Sequence, residues 1–271
     1  MNEGHRPGGA PGSRETLLET GDLWDVLDER ATPEGLIWLR DAVDEVTADP
    51  AAIRTSFPMV GRKVGRETLD VDADPGDPHE WTIDDAARTV LLSSLGETVG
   101  DELDELYRFG DAAERRGLLR ALPYLPIGDG ALAIIDDAIR TNDTRLIAAA
   151  LGPYATAHLE DAAYDHAVLK CVFVEVSISP LDGIPERVTP DGARMLAAFV
   201  HERIAAGRNV PAEVWRVIDR YPPEEELRAI EAELDSPFAD RRRAAERALA
   251  GRGETGNSSA PGHAHTPSTQ R

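Results

Sequence analysis

The chain has little of several residue types, and each scarcity excludes a class of structure. Cys171 is its only cysteine, so neither an internal disulfide nor a cysteine-based zinc site can form. Aromatic residues make up 5% of the chain, which leaves Leu, Ala, Val and Ile to fill the core. The longest apolar runs, such as LIAAAL at 146–151, fall far short of the roughly 20 residues that span a bilayer. We therefore expect a globular protein that does not insert into a membrane.

Positive charge is scarce as well. The formal net charge is −21, and only two of the 29 basic residues, Lys63 and Lys170, are lysines. Proteins that bind nucleic acid or anionic membranes need clustered cationic side chains, so we expect neither partner for the molecule as a whole. The first residues, MNEGHRPGGAPGSRE, lack the apolar stretch of a secretory signal peptide, which predicts a cytoplasmic protein.

Motifs for several common chemistries are missing from the sequence. It contains no Gly-rich phosphate loop followed by Lys and Ser/Thr, no Gly-x-Gly-x-x-Gly and no Gly-x-Ser-x-Gly. His201 and Glu202 begin like a zinc-protease motif, but position 205 is alanine where that motif has its second histidine. These absences argue against a nucleotide-binding fold and against an α/β-hydrolase, but they do not exclude other kinds of enzyme. We predict that the protein has no cofactor.

Helix start signals recur along the chain. Thr32 and Pro33 place a hydroxyl N-cap before a proline at the first helical position. The same device is repeated at Asp49-Pro50, Thr189-Pro190 and Ser236-Pro237. Residues 81–85 (WTIDD) put an acid three positions after a threonine, which approximates a capping box. These signals predict a succession of short helices.

Helix ends are predicted from glycines and from apolar spacing. Gly207 and Gly251 follow apolar helical stretches and are predicted to end them. Residues 172–179 have the β-branched content of a strand, but a lone strand would have no partner. They also continue a helical pattern that begins at residue 162, so we predict a helix that ends at about Val176.

These signals together predict an all-α fold of antiparallel helical hairpins. Residues 141–146 (TNDTRL) and 236–244 (SPFADRRRA) share a polar break, a cap and a charged first turn, like the start of the second helix in HEAT-like repeats. The spacing is irregular, so a short HEAT-like α-solenoid and an irregular helical bundle both remain open. We predict one domain over 15–250, with disordered tails at 1–14 and 251–271.

One candidate site surrounds the start of the apolar stretch at residue 162. If a helix includes His158, then His158, Asp161 and Asp165 share a face, while His166 and Lys170 lie one turn apart on an adjacent face. Imidazole and carboxylate groups there would hold a divalent metal or orient a polar ligand. In the alternative, residues 158–161 form a loop whose acids interact with the dipole of the next helix.

A second candidate site is basic. No acidic residue occurs from Ala51 to Arg66, and Gly61 and Gly65 would permit close approach of a ligand to the backbone. The basic residues of this stretch are Arg54, Arg62, Lys63 and Arg66. An anionic small molecule, or an acidic surface of the same protein, would dock there. In the alternative, this is a basic loop that neighbouring acids neutralise.

Several segments, in order, resemble the EboA family of bacterial metabolite-traffic proteins. They are 57–69 with its Arg-Lys-Val-Gly core, 81–92 (WTIDDAARTVLL), 107–125 (YRFGDAAERRGLLRALPYL), 142–170 and 193–215. The resemblance spans about residues 30–220 and depends on the order of the segments, since no single motif is diagnostic. The chain departs from the family pattern at 164–166, where amide side chains are more usual, which argues against a metal site common to the family.

The resemblance implies a part in moving secondary-metabolite precursors across the cytoplasmic membrane. Family members are encoded beside a prenyltransferase-like membrane protein and several enzyme-like proteins, and have no assigned catalytic residues. We therefore expect a non-catalytic binding or scaffold component, in which Arg62 and Lys63 engage an anionic group of a metabolite or of a protein from the same cluster. The remaining predicted ligand-binding residues are His166, Lys170, Glu202, Arg203 and Arg208. The alternative is a metal-assisted hydrolase or lyase with His158, Asp161 and His166 as ligands.

Overall fold

Helices form the regular secondary structure of the described residues. The computed structural model describes residues 20–74, 76–181 and 183–257, and within these ranges there are helices and no β-strand, as predicted. One isolated antiparallel bridge joins Thr68 to Thr82. The tail predicted at 1–14 lies outside the described residues, as do residues 258–271 of the predicted C-terminal tail.

The helices divide between two compact units, one before residue 184 and one from residue 184 onwards. The first unit contains α1 (Thr20–Arg30), α2 (Pro33–Ala48), α3 (Ile53–Lys63), α4 (Ile83–Ser93), α5 (Gly100–Phe109), α6 (Ala112–Ala121), α7 (Leu132–Arg140), α8 (Thr144–Ala150), α9 (Pro153–His158) and α10 (Asp161–Phe173). The second contains α11 (Ile184–Arg187), α12 (Pro190–Ala205), α13 (Val214–Ile218), α14 (Glu224–Ala232) and α15 (Ala239–Asn257). Short 3-10 helices occur at Pro50–Ala52, Gly96–Thr98, Leu122–Tyr124 and Glu233–Asp235.

Helix α4 is the centre of the first unit. Every residue from Ile83 to Leu92 is buried, because α1, α2, α3 and α6 all pack against this helix. The contacts then continue in series, from α6 to α8 and from α8 to α10, while α5 and α7 each pack on the helix that follows them. This series is consistent with helical hairpins, and a HEAT-like solenoid remains a prediction.

In the second unit, α12 packs against α13, α14 and α15. Trp215 of α13 is fully buried in this core. Gly207 adopts a φ of 68° immediately after α12, and the Arg208 N–H donates to the carbonyl of Arg203 at 2.8 Å. The prediction that this glycine ends the helix is confirmed, since a left-handed residue here satisfies the last carbonyl groups.

Most of the predicted helix starts are confirmed. The hydroxyls of Thr32 and Thr189 accept hydrogen bonds from the N–H groups of Gly35 and Gly192. Asp49 and Pro50 open a 3-10 helix, not an α-helix. The start predicted at Ser236-Pro237 is wrong, because α15 begins only at Ala239.

The predicted end of α10 is three residues too late. The helix ends at Phe173, and Glu175 adopts a φ of 62°, which an α-helix cannot contain. The Val176 N–H then donates to the carbonyl of Cys171 at 2.9 Å, and its side chain is buried. The apolar pattern therefore continues past the end of the helix, which explains the error.

The prediction that Gly251 ends the last helix is also wrong. Helix α15 continues through Gly251 to Asn257. One turn of this extension is fixed by Arg252, whose guanidinium pairs with Asp219 at 2.7 Å and lies over the ring of Trp215. A glycine without positive φ weakens a helix but does not end it. Along the described ranges, no helix combines the length and the apolarity needed to cross a bilayer.

Candidate functional sites

The predicted basic stretch lies on a helix and not in a loop. Arg54, Arg62 and Lys63 belong to α3, and Arg66 follows in the turn after it. Arg54 is neutralised, since its Nε donates to Glu102 at 2.8 Å and its Nη2 lies 3.3 Å from a carboxylate oxygen of Glu105. The hydrogen bond and the charge of Glu102 raise the pKa of Arg54. The prediction of neutralisation by neighbouring acids therefore holds for this residue.

Arg62 and Lys63 differ from Arg54. Both are exposed in the last turn of α3, and neither forms an ion pair or a side-chain hydrogen bond with the described residues. Basic side chains at this position interact favourably with the helix dipole. Their charges are otherwise available to a partner.

The chain itself fills the space beside the two glycines of this stretch. A Cβ at Gly61 would lie 2.6 Å from Nε of Arg66. Gly65 has a φ of 106° and faces the carboxylate of Glu67, which also accepts a hydrogen bond from the backbone N–H of Arg66 at 2.9 Å. Close approach of a ligand to this backbone would require these side chains to move.

His158 and Asp161 lie on different helices, so they do not share one helix face, and only residues 159–160 lie outside a helix. Helix α9 ends at His158 and α10 begins at Asp161. His158 Nδ1 lies 2.7 Å from a carboxylate oxygen of Asp129, and its ring stacks on Tyr154 with centroids 4.5 Å apart. The Tyr154 hydroxyl donates to the carbonyl of Gly128 at 2.6 Å. This histidine therefore ties α9 to the loop before α7.

His166 and Lys170 lie one turn apart on α10, as predicted. His166 is exposed and its Nδ1 lies 2.6 Å from the carbonyl of Ala162, while Nζ of Lys170 donates to Asn142 at 3.2 Å. Among residues 20–74, 76–181 and 183–257, no group of three or more His, Cys, Asp or Glu side chains is placed to hold a metal ion. This geometry gives the predicted metal ligands no support, and they remain a prediction.

The other three predicted ligand-binding residues belong to the second unit. Glu202 and Arg203 lie in the last turn of α12, and Arg208 follows Gly207. Nε of Arg203 donates to the carbonyl of Asn209 at 2.6 Å, so this side chain holds the segment after the helix. Glu202 and Arg208 are exposed.

Sequence reasoning missed a cluster of charged side chains between α4 and α6, which we call the charged centre. It consists of Asp84, Asp85, Arg88, Arg116 and Arg120. Asp84, Asp85 and Arg88 have no exposed surface at all. Asp84 pairs with Arg88, while Asp85 accepts hydrogen bonds from Arg116 at 3.0 Å and from Arg120 at 2.7 Å. Four of the five, all except Arg116, are buried, and burial of charged groups is costly unless they are paired and hydrogen-bonded.

The start of α4 supplies part of the charged centre. The Asp85 carboxylate, which caps the helix by accepting from the Thr82 N–H at 3.2 Å, is the same group that binds both arginines of α6. The Thr82 hydroxyl donates to Asp84 at 2.5 Å and accepts from Arg116 at 2.8 Å. The predicted capping box is therefore also a junction between two helices.

Arg120 connects the charged centre to the loop before α4. Its guanidinium donates to the carbonyls of Glu80 at 2.5 Å and Pro78 at 2.9 Å, and lies over the ring of Trp81 with its Cζ 5.5 Å from the centroid. The end of this loop, residues 78–81, is thus held against α6 by a buried cation.

Arg88 is the least satisfied member of the charged centre. Its Nη1 pairs with Asp84, and its guanidinium lies 5.4 Å from the ring centroid of Phe57. Nε and Nη2 are buried and have no hydrogen-bond partner in the described part of the chain. Native proteins rarely leave such donors unpaired.

The positive potential of this region reaches Asp111, the N-cap of α6. Burial acts to raise the pKa of the Asp111 carboxyl. Hydrogen bonds from the N–H groups of Glu114 and Ala113, with the charges of Arg88 and Arg66, outweigh burial and lower that pKa.

The charged centre contains two carboxylates and three guanidinium groups, so its formal charge is positive by one.

Comparison with known proteins identifies the family. No curated protein and no solved structure matches this chain. A family model, EboA, described as metabolite traffic protein EboA, matches residues 20–219. This match contains α3, the charged centre and all of the predicted site residues. Since it covers well over half of the sequence, the chain belongs to the EboA family of metabolite traffic proteins.

Proposed function

We propose that this protein is a non-catalytic binding component of metabolite traffic. In this proposal it acts in the cytoplasm as a scaffold, and helps deliver a secondary-metabolite precursor to enzymes or an exporter encoded in the same cluster. Family membership supports the role in metabolite traffic. The observation that carries the binding role is the exposed pair Arg62 and Lys63, which has no acidic partner in the described residues.

The contrast with Arg54 supports an anionic partner for this pair. The chain has 50 acidic and 29 basic residues, so acidic partners are abundant, and Arg54 on the same helix contacts two of them. Arg62 and Lys63 remain positive and exposed in a molecule whose net charge is −21. A local positive patch on an acidic protein favours docking of an anionic group in one orientation.

The serial packing of the first unit supports a scaffold. Helices α4, α6, α8 and α10 each contact the next one in the series, which is how the repeats of a short HEAT-like α-solenoid pack. Such stacks expose one side of every repeat to partners. In this proposal His166 and Lys170 of α10 form a second polar binding surface on the same unit. The second unit contributes three further ligand-binding residues, which are Glu202, Arg203 and Arg208.

A complementation experiment in the producing host tests the proposed function. Deletion of the gene should reduce secretion of the cluster's metabolite, and the wild-type gene should restore it. We expect Arg62→Glu with Lys63→Glu to fail to restore secretion. The control is Arg194→Glu with Arg228→Glu, which changes the net charge equally at exposed arginines that have acidic neighbours on their own helices. Full restoration by the first variant would refute the role of the pair.

A further inference from the structure

The unpartnered edge of Arg88 has the geometry of an anion site. In a guanidinium group, the N–H of Nε and one N–H of Nη2 point in parallel from the same edge. This edge matches the two oxygens of a carboxylate or a phosphate, which arginine binds through two hydrogen bonds at once. In Arg88 this pair of nitrogens is buried without a partner among the described residues, while Nη1 is bonded to Asp84.

The surroundings of Arg88 hold its edge in place. Cζ of Arg88 lies over the ring of Phe57, 5.4 Å from its centroid, and Asp84 pairs with Nη1. Gly117 of α6 lies so close that a Cβ at that position would be 2.8 Å from Cδ of Arg88. The side chain is therefore fixed by three different helices, and a ligand would meet a preorganised pair of donors.

The charge of the site also favours an anion. Two carboxylates face three guanidinium groups in the charged centre, and all of them except Arg116 have at most 5% of the side chain exposed. An uncompensated buried charge is strongly unfavourable. One monovalent anion at the edge of Arg88 would make the charged centre neutral and satisfy both donors.

We propose that Arg88 binds one small oxyanion, a carboxylate or a phosphate group, through Nε and Nη2 in the interior of the first unit. This site is separate from Arg62 and Lys63 and does not depend on the proposed function. Because Arg88 has no exposed surface, the anion is enclosed when the unit folds and leaves only when the unit opens. It should therefore remain bound through purification.

Analysis of released anions tests the site directly. The full chain is dialysed into Tris chloride and denatured, and the released phosphate and small carboxylates are quantified by ion chromatography and mass spectrometry. We expect about one oxyanion per chain from the wild type, since one arginine edge binds one such group. A chain that releases no stoichiometric oxyanion overturns the proposal, because water would then satisfy the edge.

Two variants connect the anion to Arg88. Arg88→Lys keeps the positive charge but removes the two-nitrogen edge, and should release no anion. Arg120→Lys changes another buried arginine of the charged centre, whose guanidinium already contacts Asp85, Glu80 and Pro78, and should still release one. Equal anion content in wild type and Arg88→Lys overturns the assignment to this residue.

A refolding experiment on the wild type keeps the test valid if Arg88→Lys does not fold. The denatured, anion-stripped chain is refolded in Tris chloride with inorganic phosphate, with propionate or with neither. The correct anion should raise Tm progressively with its concentration, because it binds only the folded state. The phosphate and propionate samples distinguish the two chemical classes. If neither anion raises Tm, the proposal is wrong.

Discussion

Gly117 of α6 lies directly against Arg88 of α4, with room for a hydrogen but not for a methyl group. A Cβ at position 117 would be 2.8 Å from Cδ of Arg88 and 3.4 Å from its Cβ. This contact sets the spacing of the two helices that carry the charged centre. Arg88 is one of the four buried members of the charged centre, so this contact lies beside buried charges.

We expect Gly117→Ala to destabilise the protein by about 1–3 kcal/mol, because the methyl group must displace Arg88 or α6 in a closely packed interior. Gly100→Ala is the control. A Cβ there meets nothing within 4 Å, so this change should be neutral or slightly stabilising. Urea denaturation of both variants measures the free energy of unfolding. If both variants change the free energy of unfolding equally, α4 and α6 can move apart to accommodate the methyl group, and the contact does not fix their spacing.

We expect Asp85→Asn to be among the most damaging single changes outside the apolar core. It leaves Arg116 and Arg120 without their common carboxylate, which should lower the free energy of unfolding by about 3–5 kcal/mol. Asp28→Asn removes the carboxylate of a half-exposed pair with Arg40 and should cost less than about 1 kcal/mol. Denaturant unfolding of both variants gives the comparison. Similar losses would mean that the charged centre is no more important than a surface ion pair.

Two glycines after helical stretches should respond in opposite ways to alanine. Gly251 lies inside α15 without positive φ, and a Cβ would make an ordinary contact at 3.4 Å with Ala212, so Gly251→Ala should stabilise by about 0.5–1 kcal/mol. Gly207 has a φ of 68°, so Gly207→Ala should destabilise by a similar or larger amount, about 1 kcal/mol. Thermal unfolding checks both signs. Destabilisation by Gly251→Ala would indicate that α15 ends where the sequence predicted.

The caps of α6 and α8 should contribute to stability at neutral pH and lose that contribution in acid. The hydrogen bond from the Arg145 side chain is the largest of the effects that lower the pKa of Asp143 below its usual 3.8. A carboxyl whose pKa is lower in the folded state stabilises above its unfolded pKa, and this stabilisation disappears as pH falls through the folded pKa. Asn is also a good N-cap, so Asp143→Asn removes mainly the charge. The free-energy difference from wild type should shrink between neutral pH and about pH 2. If the difference in unfolding free energy between wild type and Asp143→Asn stays constant with pH, the charge of Asp143 does not contribute to stability.

Several helix starts were predictable because capping depends on residues close in sequence. Thr32, Thr82 and Thr189 each act with a partner two or three positions away. The ends of α10 and α15 were not predictable in this way. The end of α10 depends on the backbone conformation of Glu175. The extension of α15 depends on the ion pair of Arg252 with Asp219, which is distant in sequence.

The candidate sites were predictable in part for the same reason. The run without acids from Ala51 to Arg66 was visible in the sequence, but Arg54 is neutralised by Glu102, which is 48 positions away. The charged centre was missed because helical periodicity assigns charged residues to the solvent side. In α4 every face is buried, so Asp84 and Arg88 are core residues. Asp85 accepts a hydrogen bond from Arg116, which lies 31 positions later in the sequence.

The most direct test of the proposed function is affinity purification of the tagged full chain from its native host at low and high salt. Proteins encoded in the same cluster and bound small molecules are quantified by mass spectrometry. Wild type and the Arg194→Glu, Arg228→Glu control should retain the same cluster proteins, and added salt should weaken the association. The Arg62→Glu, Lys63→Glu variant should lose these partners. Retention of the same partners by that variant at both salt concentrations would contradict the account.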